Sequence, residues 1–526
     1  MRHFSIFLIG VVILAGALGS NLQAQQPQYG GTVVRSEWGD ATTLNPAWKY
    51  DSSAYRISQN IYSTLVISDN GVSVGQGPYG DLAKSWEVSN DGLTYTFHLH
   101  DNVYWHDGVK FSSADVKFTY DLAKEKKYPI AKYLNLVSEI LTPDENTVVF
   151  KLSKVNSAFL PMLANASNWY GQIIAKHLYE GTDIPKNPYN KKPVGTGPFV
   201  FVEWQQGQFV SMKANEKYFR GRPYLDKVVW LQYTNKEVAQ ADFKSGKSNL
   251  LTYQLVPQYH EIKPMADQKG VKLWRQSGIY SHCVRFNFTR KPFDDIRVRE
   301  AISLAIDRQE INQLAFAEYM RPLYYASSFG TPSWTNQKAR WPEQNQERAK
   351  KLLDDAGYPA GTNGVRMQLT TAATEYYKDL TDVIIQQLKR IGVEVKLDMV
   401  DTATWFSRLR SADFDLIAYY DRYGPDPDAY REHFGTGQTR NYGKYSNSEA
   451  DKLLQEGIRI FNQAERKKIY DKVQEILLKD FAVLPLAELG YLELSTDKLH
   501  GVPMGDPAAF GKSLGWSGCY AMWLEK

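Results

Sequence analysis

The side chains in this sequence with the spacing of known chemistry are few, and each has an uneventful alternative. Gly511-Lys512-Ser513-Leu514-Gly515 has the G-x-S-x-G spacing of a hydrolase elbow, where a tight turn exposes a serine nucleophile. That chemistry takes its acid and histidine after the serine in chain order, and no histidine follows His500. The motif therefore reads as a surface loop, and a secreted hydrolase stands as the distant alternative. His98 and His100, two apart on a strand, point the same way, with His106 close behind. Their alternation with apolar residues makes them the polar face of a hairpin, and no metal site is expected. P-loop, G-x-G-x-x-G and C-x-x-C patterns are absent, so no cofactor is expected.

The richest run is Tyr419-Tyr420-Asp421-Arg422-Tyr423-Gly424-Pro425-Asp426-Pro427-Asp428-Ala429-Tyr430-Arg431. Tyrosines offer apolar area with a polar tip, and Asp and Arg anchor charged groups in a desolvated cleft. The same residues also suit a polar loop in which Asp426 or Asp428 caps the next helix. The apolar strand Phe414–Ala418 feeds the run, which thus leaves the strand end where open α/β sheets bind ligands. Further candidates are Trp38, Asp40, Trp48 and Tyr50 in the loops after the first strand, and Trp334 and Trp405 in the second half.

Positioning such a segment requires the surrounding elements. From Met367 the pattern reads strand, helix over about 374–391, strand Val393–Leu397, helix around Trp405, strand Phe414–Ala418. This alternation predicts a parallel or mixed α/β sheet. Val298, Ala301, Ile302, Ala305 and Ile306 fall on one helix face, and Ala349–Tyr358 is a helix stopped by Gly357 and Pro359. Near the N-terminus, Gly31–Val34 reads as a strand and Ile57–Leu65 as a helix. Between Ser85 and Tyr120 the sequence predicts two consecutive hairpins, turning at Asn90-Asp91-Gly92 and Asp107-Gly108. A helix capped by Ser112 and Asp115 follows. A strand pair is expected around Ile140–Pro143 and Val148–Leu152.

The Ser85–Tyr120 stretch, with its Ser85-Trp86, Asp91-Gly92, Trp105-His106-Asp107-Gly108 and Asp115-Val116 landmarks, resembles the family 5 solute-binding proteins of bacterial ABC importers. Pro193-Val194-Gly195-Thr196-Gly197-Pro198 before Phe199, and the run Phe293–Arg308, resemble further signatures in the family's order. The resemblance implies a two-lobe α/β periplasmic binding fold of the cluster C, Venus-flytrap type. Lobe one would comprise 25–68, 189–284 and 489–526, with an extra subdomain at 69–188; lobe two would be 285–488. It implies a non-enzymatic partner of an inner-membrane ABC permease and its ATPase subunits, closing over a peptide or similar small polar solute. It also places Asp426-Pro427 near the ligand. Peptide binders of the family carry an acid shortly before this Asp-Pro, and here Tyr423 takes that place beside Arg422. Arg422, Arg431 and Arg440 would favour an anionic or hydroxyl-rich solute such as an oligosaccharide or opine.

Bulk properties agree with export. Met1-Arg2-His3, the apolar Phe4–Gly19 and the site Leu22-Gln23-Ala24 form a signal peptide over residues 1–24. With no cysteine at the first mature position the chain is not expected to be a lipoprotein, which points to the periplasm. Lysine and arginine number 62 against 58 acids, a balance too even for nucleic acid. A monomer is expected. The sequence leaves open whether Cys283 and Cys519, its two cysteines, pair.

Overall fold

A computed structural model of the chain describes residues 26–45, 48, 51–68, 78–252, 259–326, 332–422, 426–503 and 518–526. Residues 1–24, where a signal peptide is expected, and Tyr50, Tyr423 and the Gly511–Gly515 motif lie outside the described residues. Among the described residues no helix is long and apolar enough to cross a membrane.

A chain of 526 residues exceeds what one core serves, and its buried apolar side chains segregate accordingly. Val33, Ile57, Phe199, Trp230 and Met522 share one core. Phe97, Trp105, Val116 and Phe150 share another. Ile302, Leu380 and Trp405 belong to a third, beside which Trp341, Phe434 and Tyr470 form a fourth. This mixed α/β architecture is the two-lobe fold expected from the sequence.

One nine-stranded mixed sheet runs through the molecule. Its order is Leu416–Arg422, Val271–Phe286, Leu484–Thr496, Leu250–Leu251, Thr32–Trp38, Lys227–Tyr233, Phe209–Ala214 and Phe199–Gln205, with Arg321–Pro322 alongside Leu484–Thr496. Two long antiparallel strands, Val271–Phe286 and Leu484–Thr496, lie side by side within this sheet. Val271–Gln276 faces Tyr491–Thr496, which also pairs with Leu250–Leu251. Tyr280–Val284 continues against Leu484–Leu489, and Tyr280–Phe286 also pairs with Leu416–Arg422 on its other side. The register between the two strands shifts between Gln276 and Tyr280, opposite Leu489–Tyr491. A shift of this kind interrupts the ladder and lets a strand bend.

Helices follow the sequence periodicity at Ile296–Ala305, Gln346–Asp355, Lys378–Lys389 and Thr402–Ser411, and Met367–Ala373 pairs in parallel with Val393–Met399. The extra subdomain holds a four-stranded sheet, Ala83–Val88, Thr94–Leu99, Thr147–Leu152, Val137–Asp144. Its helix Ser113–Lys126 is capped as expected, with the Ser112 amide donating to Asp115 at 3.0 Å.

Two local expectations change. The second hairpin is a tight loop with a single bridge, Tyr104 to Lys110. Its His106 leaves the hairpin plane to hold another loop: its amide donates to Gly195 O at 2.9 Å, and its ring Nδ1 accepts from the Gly195 amide at 3.3 Å. Its Nε2 lies 3.0 Å from Gly197 O. The helix expected over Ile57–Leu65 instead spans Ser52–Ser58, because Asp51 accepts the Ser53 and Ala54 amides at 3.0 Å and starts it early. Its end is drawn onto the same glycine loop, where the Gly197 amide donates to Ile61 O at 2.8 Å. A Cβ at Gly195 would sit 1.9 Å from that oxygen, so only glycine fits.

Candidate ligand-binding cleft

The Leu416–Arg422 strand and the inserted strand Val271–Phe286 set opposite faces by alternation: His282 lies opposite Tyr420, and Ser281 opposite Asp421. One face of this pair is ionic. Asp421 is fully buried, and its Oδ2 accepts from Arg285 Nη2 at 2.5 Å and from Cys283 Sγ at 3.2 Å. His433 Nδ1 lies 3.0 Å from its Oδ1. Burial works against the charge, yet Arg285 and then His433 hold the Asp421 carboxyl well below the usual carboxylate range. The same burial, with Asp421 beside it, pushes the Cys283 thiol well up. The carboxylate contacts both thiol and imidazole, and the thiol stays protonated, so this is an internal ion cluster rather than an activated nucleophile.

The acids farther along are also engaged. Asp426 takes a two-pronged bond from Arg466, Nη1 to Oδ2 at 2.6 Å and Nη2 to Oδ1 at 2.7 Å. Asp428 accepts from Arg431 Nε at 3.0 Å and Nη2 at 2.6 Å. Burial raises the Asp428 carboxyl, with Arg431 opposing. Neither aspartate caps the following helix Ala429–Phe434 through a side-chain bond to its amides; Asp426 instead accepts the Asp428 amide at 2.9 Å. Arg440 lies 3.5 Å from Glu432.

The other face is aromatic. Tyr420 stacks at 5.4 Å with Tyr419, its neighbour from the Asp421 side of the strand, and the buried Trp405 stacks with Tyr377 at 4.9 Å while its indole N–H donates to Ala372 O at 3.2 Å. Tyr280 meets Tyr420 and Tyr491 edge-on at 5.4 and 5.7 Å. Among these rings sits His282, 2% exposed, stacked on Phe316 at 5.0 Å and 6.4 Å from Tyr376, which is 59% exposed. Neither ring nitrogen of His282 has a hydrogen-bond partner. Burial lowers its pKa to about 3, so it is a neutral imidazole with one donor and one acceptor unspent. Tyr376 follows the C-terminal end of Met367–Ala373, and Tyr420 lies near the C-terminal end of Leu416–Arg422, the strand ends at which open α/β sheets bind ligands. Sequence reading passed over Tyr280, His282 and Tyr376. The available signal was the alternation of Tyr280, His282, Val284 and Phe286.

Thus Trp405, Tyr419, Tyr420 and Asp421 lie on or against the Leu416–Arg422 strand, and Asp426 and Asp428 lie beyond it, bonded to Arg466 and Arg431. Arg422 is described only as the last residue of its strand. In lobe one, Asp40 accepts from Trp204 Nε1 at 3.1 Å and the Gly207 amide at 2.7 Å. Trp38 ends its strand and packs near Tyr233 and Phe243, and Trp48 packs against the lobe-one core. Cys283 and Cys519 are both buried thiols that form no disulfide. Among the described residues no cluster of His, Cys, Asp or Glu is arranged for a metal ion.

The family model for bacterial extracellular solute-binding proteins, family 5, matches residues 77–442. The chain belongs to this family. This solute-binding protein is 27% identical over 522 residues to the oligopeptide-binding protein AppA of Bacillus subtilis, covering 91% of each chain. Its fold is similar to that of the ABC transporter substrate-binding protein CtaP of Listeria monocytogenes, with a TM-score of 0.82 at 26% identity over 95% of this chain and 100% of the other. It is also similar to AgaA of Agrobacterium tumefaciens R10, solved with agropinic acid, with a TM-score of 0.71 at 27% identity over 94% and 99%.

Proposed function

We propose that this protein is the periplasmic substrate-binding component of an ABC importer that captures a short peptide between two hinged lobes and presents it to the permease. The observation that carries the reading is the pair of long antiparallel strands broken in register beside an aromatic wall. Two crossings interrupted in register, between Gln276 and Tyr280 and again between His282 and Cys283, allow hinge closure, and ligand shifts the open–closed balance by binding the closed form better. No covalent chemistry is involved. The leader over residues 1–24 supports export. Aromatic rings, most of them tyrosines with a hydroxyl tip, together with the neutral His282 suit the apolar side chains and neutral amides of a peptide. The similarity to AppA supports the same class.

A second reading, an opine or other polar and anionic solute, is favoured by one observation. Asp421, Asp426 and Asp428 are all engaged by arginines, so none stands ready for a ligand ammonium. Titration calorimetry with tripeptides, their N-acetylated forms and agropinic acid separates the readings. Saturable binding of tripeptides, acetylated or not, supports the first; heat from agropinic acid alone overturns it. Ligand at a hundred times its Kd should add about 2.7 kcal/mol of stability. Arg422→Ala with Tyr423→Ala should weaken binding without loss of fold.

A further inference from the structure

Two contacts join the extra subdomain to lobe two. Phe461, 46% exposed, lies so close to the turn at Gly92 that a Cβ there would stand 2.4 Å from its ring. Ser157, just ahead of helix Phe159–Tyr170, donates its amide to Ile458 O at 2.8 Å and its hydroxyl to Gly457 O at 3.3 Å. Gly457 ends helix Ser448–Gly457 and is pressed on the Tyr470 ring, where a Cβ would come within 2.8 Å. Its carbonyl therefore has a fixed place. The same carbonyl accepts from Arg466 Nε at 2.9 Å. The remaining arms of that guanidinium grip Asp426 in the segment after the Leu416–Arg422 strand.

We propose that Arg466 is a positioning residue for ligand binding, joining the interlobe contact at Ser157 to the Asp426–Arg431 segment through the shared Gly457 carbonyl. The proposal rests on that segment belonging to the ligand site. Arg466 suits the task because a planar guanidinium bonds a carbonyl and both oxygens of a carboxylate at once, which a lysine cannot do. It is 4% exposed, against the equally buried Asp426, so water competes little for these bonds. When the lobes meet, Ser157 adds a donor to the carbonyl that Arg466 already holds, and the arginine carries the restraint to Asp426. When the lobes part, that donor is lost and the segment loosens. Ligand contact and lobe contact thus favour one another.

Backbone hydrogen exchange on the mature chain without ligand tests this, independently of which solute binds. Ser157→Asp sets a carboxylate against two carbonyl oxygens while remaining compatible with the start of its helix. Exchange should rise about tenfold at the Gly457–Ile458 contact and also across Asp428–Phe434. In an Arg466→Lys background the same substitution should change Asp428–Phe434 less than about twofold. Should Arg466→Lys fail to fold, Asp426→Asn serves as the uncoupled background. A response confined to residues 457–461, or an equal response at Asp428–Phe434 in both backgrounds, overturns the proposal. Calorimetry with tripeptides on the same variants reports separately on the ligand reading: intact coupling with no binding would discard that reading and keep the linkage.

Discussion

Charge burial at single residues gives two predictions. Asp421→Asn leaves Arg285 buried without its anion, and breaking such a pair costs about 3–5 kcal/mol. Urea unfolding should show that loss, whether or not solute is present. The second concerns Glu493, fully buried with one oxygen 3.5 Å from Arg35 Nη2 and the other without a hydrogen-bond partner. Burial, opposed by Arg35 and Arg56 and aided by Glu37, lifts its pKa to about 7. The folded state then binds more protons than the unfolded chain between pH 4.5 and about 7, so stability falls as pH rises through that window and levels off above it. Glu493→Gln should remove a decline of roughly 3 kcal/mol from the pH–stability curve, read as the difference between the two proteins. An unchanged slope would mean that the carboxyl titrates normally. On the aromatic face, Tyr420→Ala should weaken solute binding by about 2 kcal/mol with a small change in stability, since truncating a ring at a contact centre costs that order.

At the scale of elements, the interrupted ladder between Gln276 and Tyr280 should exchange its amides faster than Ser281–Arg285, which is held by strands on both sides. Equal protection along Val271–Phe286 would place the hinge elsewhere. Much of this level was legible in the sequence. The helix Ser113–Lys126, the hairpin turning at Gly92 and the alternation from Met367 onward each follow from local caps, turns and periodicity. What was not legible depended on distant partners. His106 reads as the polar end of a hairpin until the loop at Gly195–Gly197 is brought beside it. Asp421 and Asp426 read equally as ligand anchors or as loop acids, because Arg285 and Arg466 stand 136 and 40 residues from their partners. His282 was passed over because one histidine in an apolar strand carries no motif. The pairing open to the two cysteines resolved the same way, since Cys519 lies beside Arg35 while Cys283 lies beside Asp421.

For the whole molecule, separate cores beside one long, register-broken strand pair suit a body that closes over a solute. Sedimentation should find a monomer, and a stable dimer would require a different account of the interlobe contacts. Small-angle scattering should show the radius of gyration falling as solute is added, and rising in Ser157→Asp without solute. The central claim, capture of a short peptide by one closing molecule, is tested most directly by native mass spectrometry. The mature chain, unfolded to strip any bound solute and then refolded, would be mixed with an equimolar set of di- to pentapeptides. One peptide bound per chain, displaced competitively by others of the set, is the predicted spectrum. A spectrum of bare chain alone at saturating peptide would contradict it.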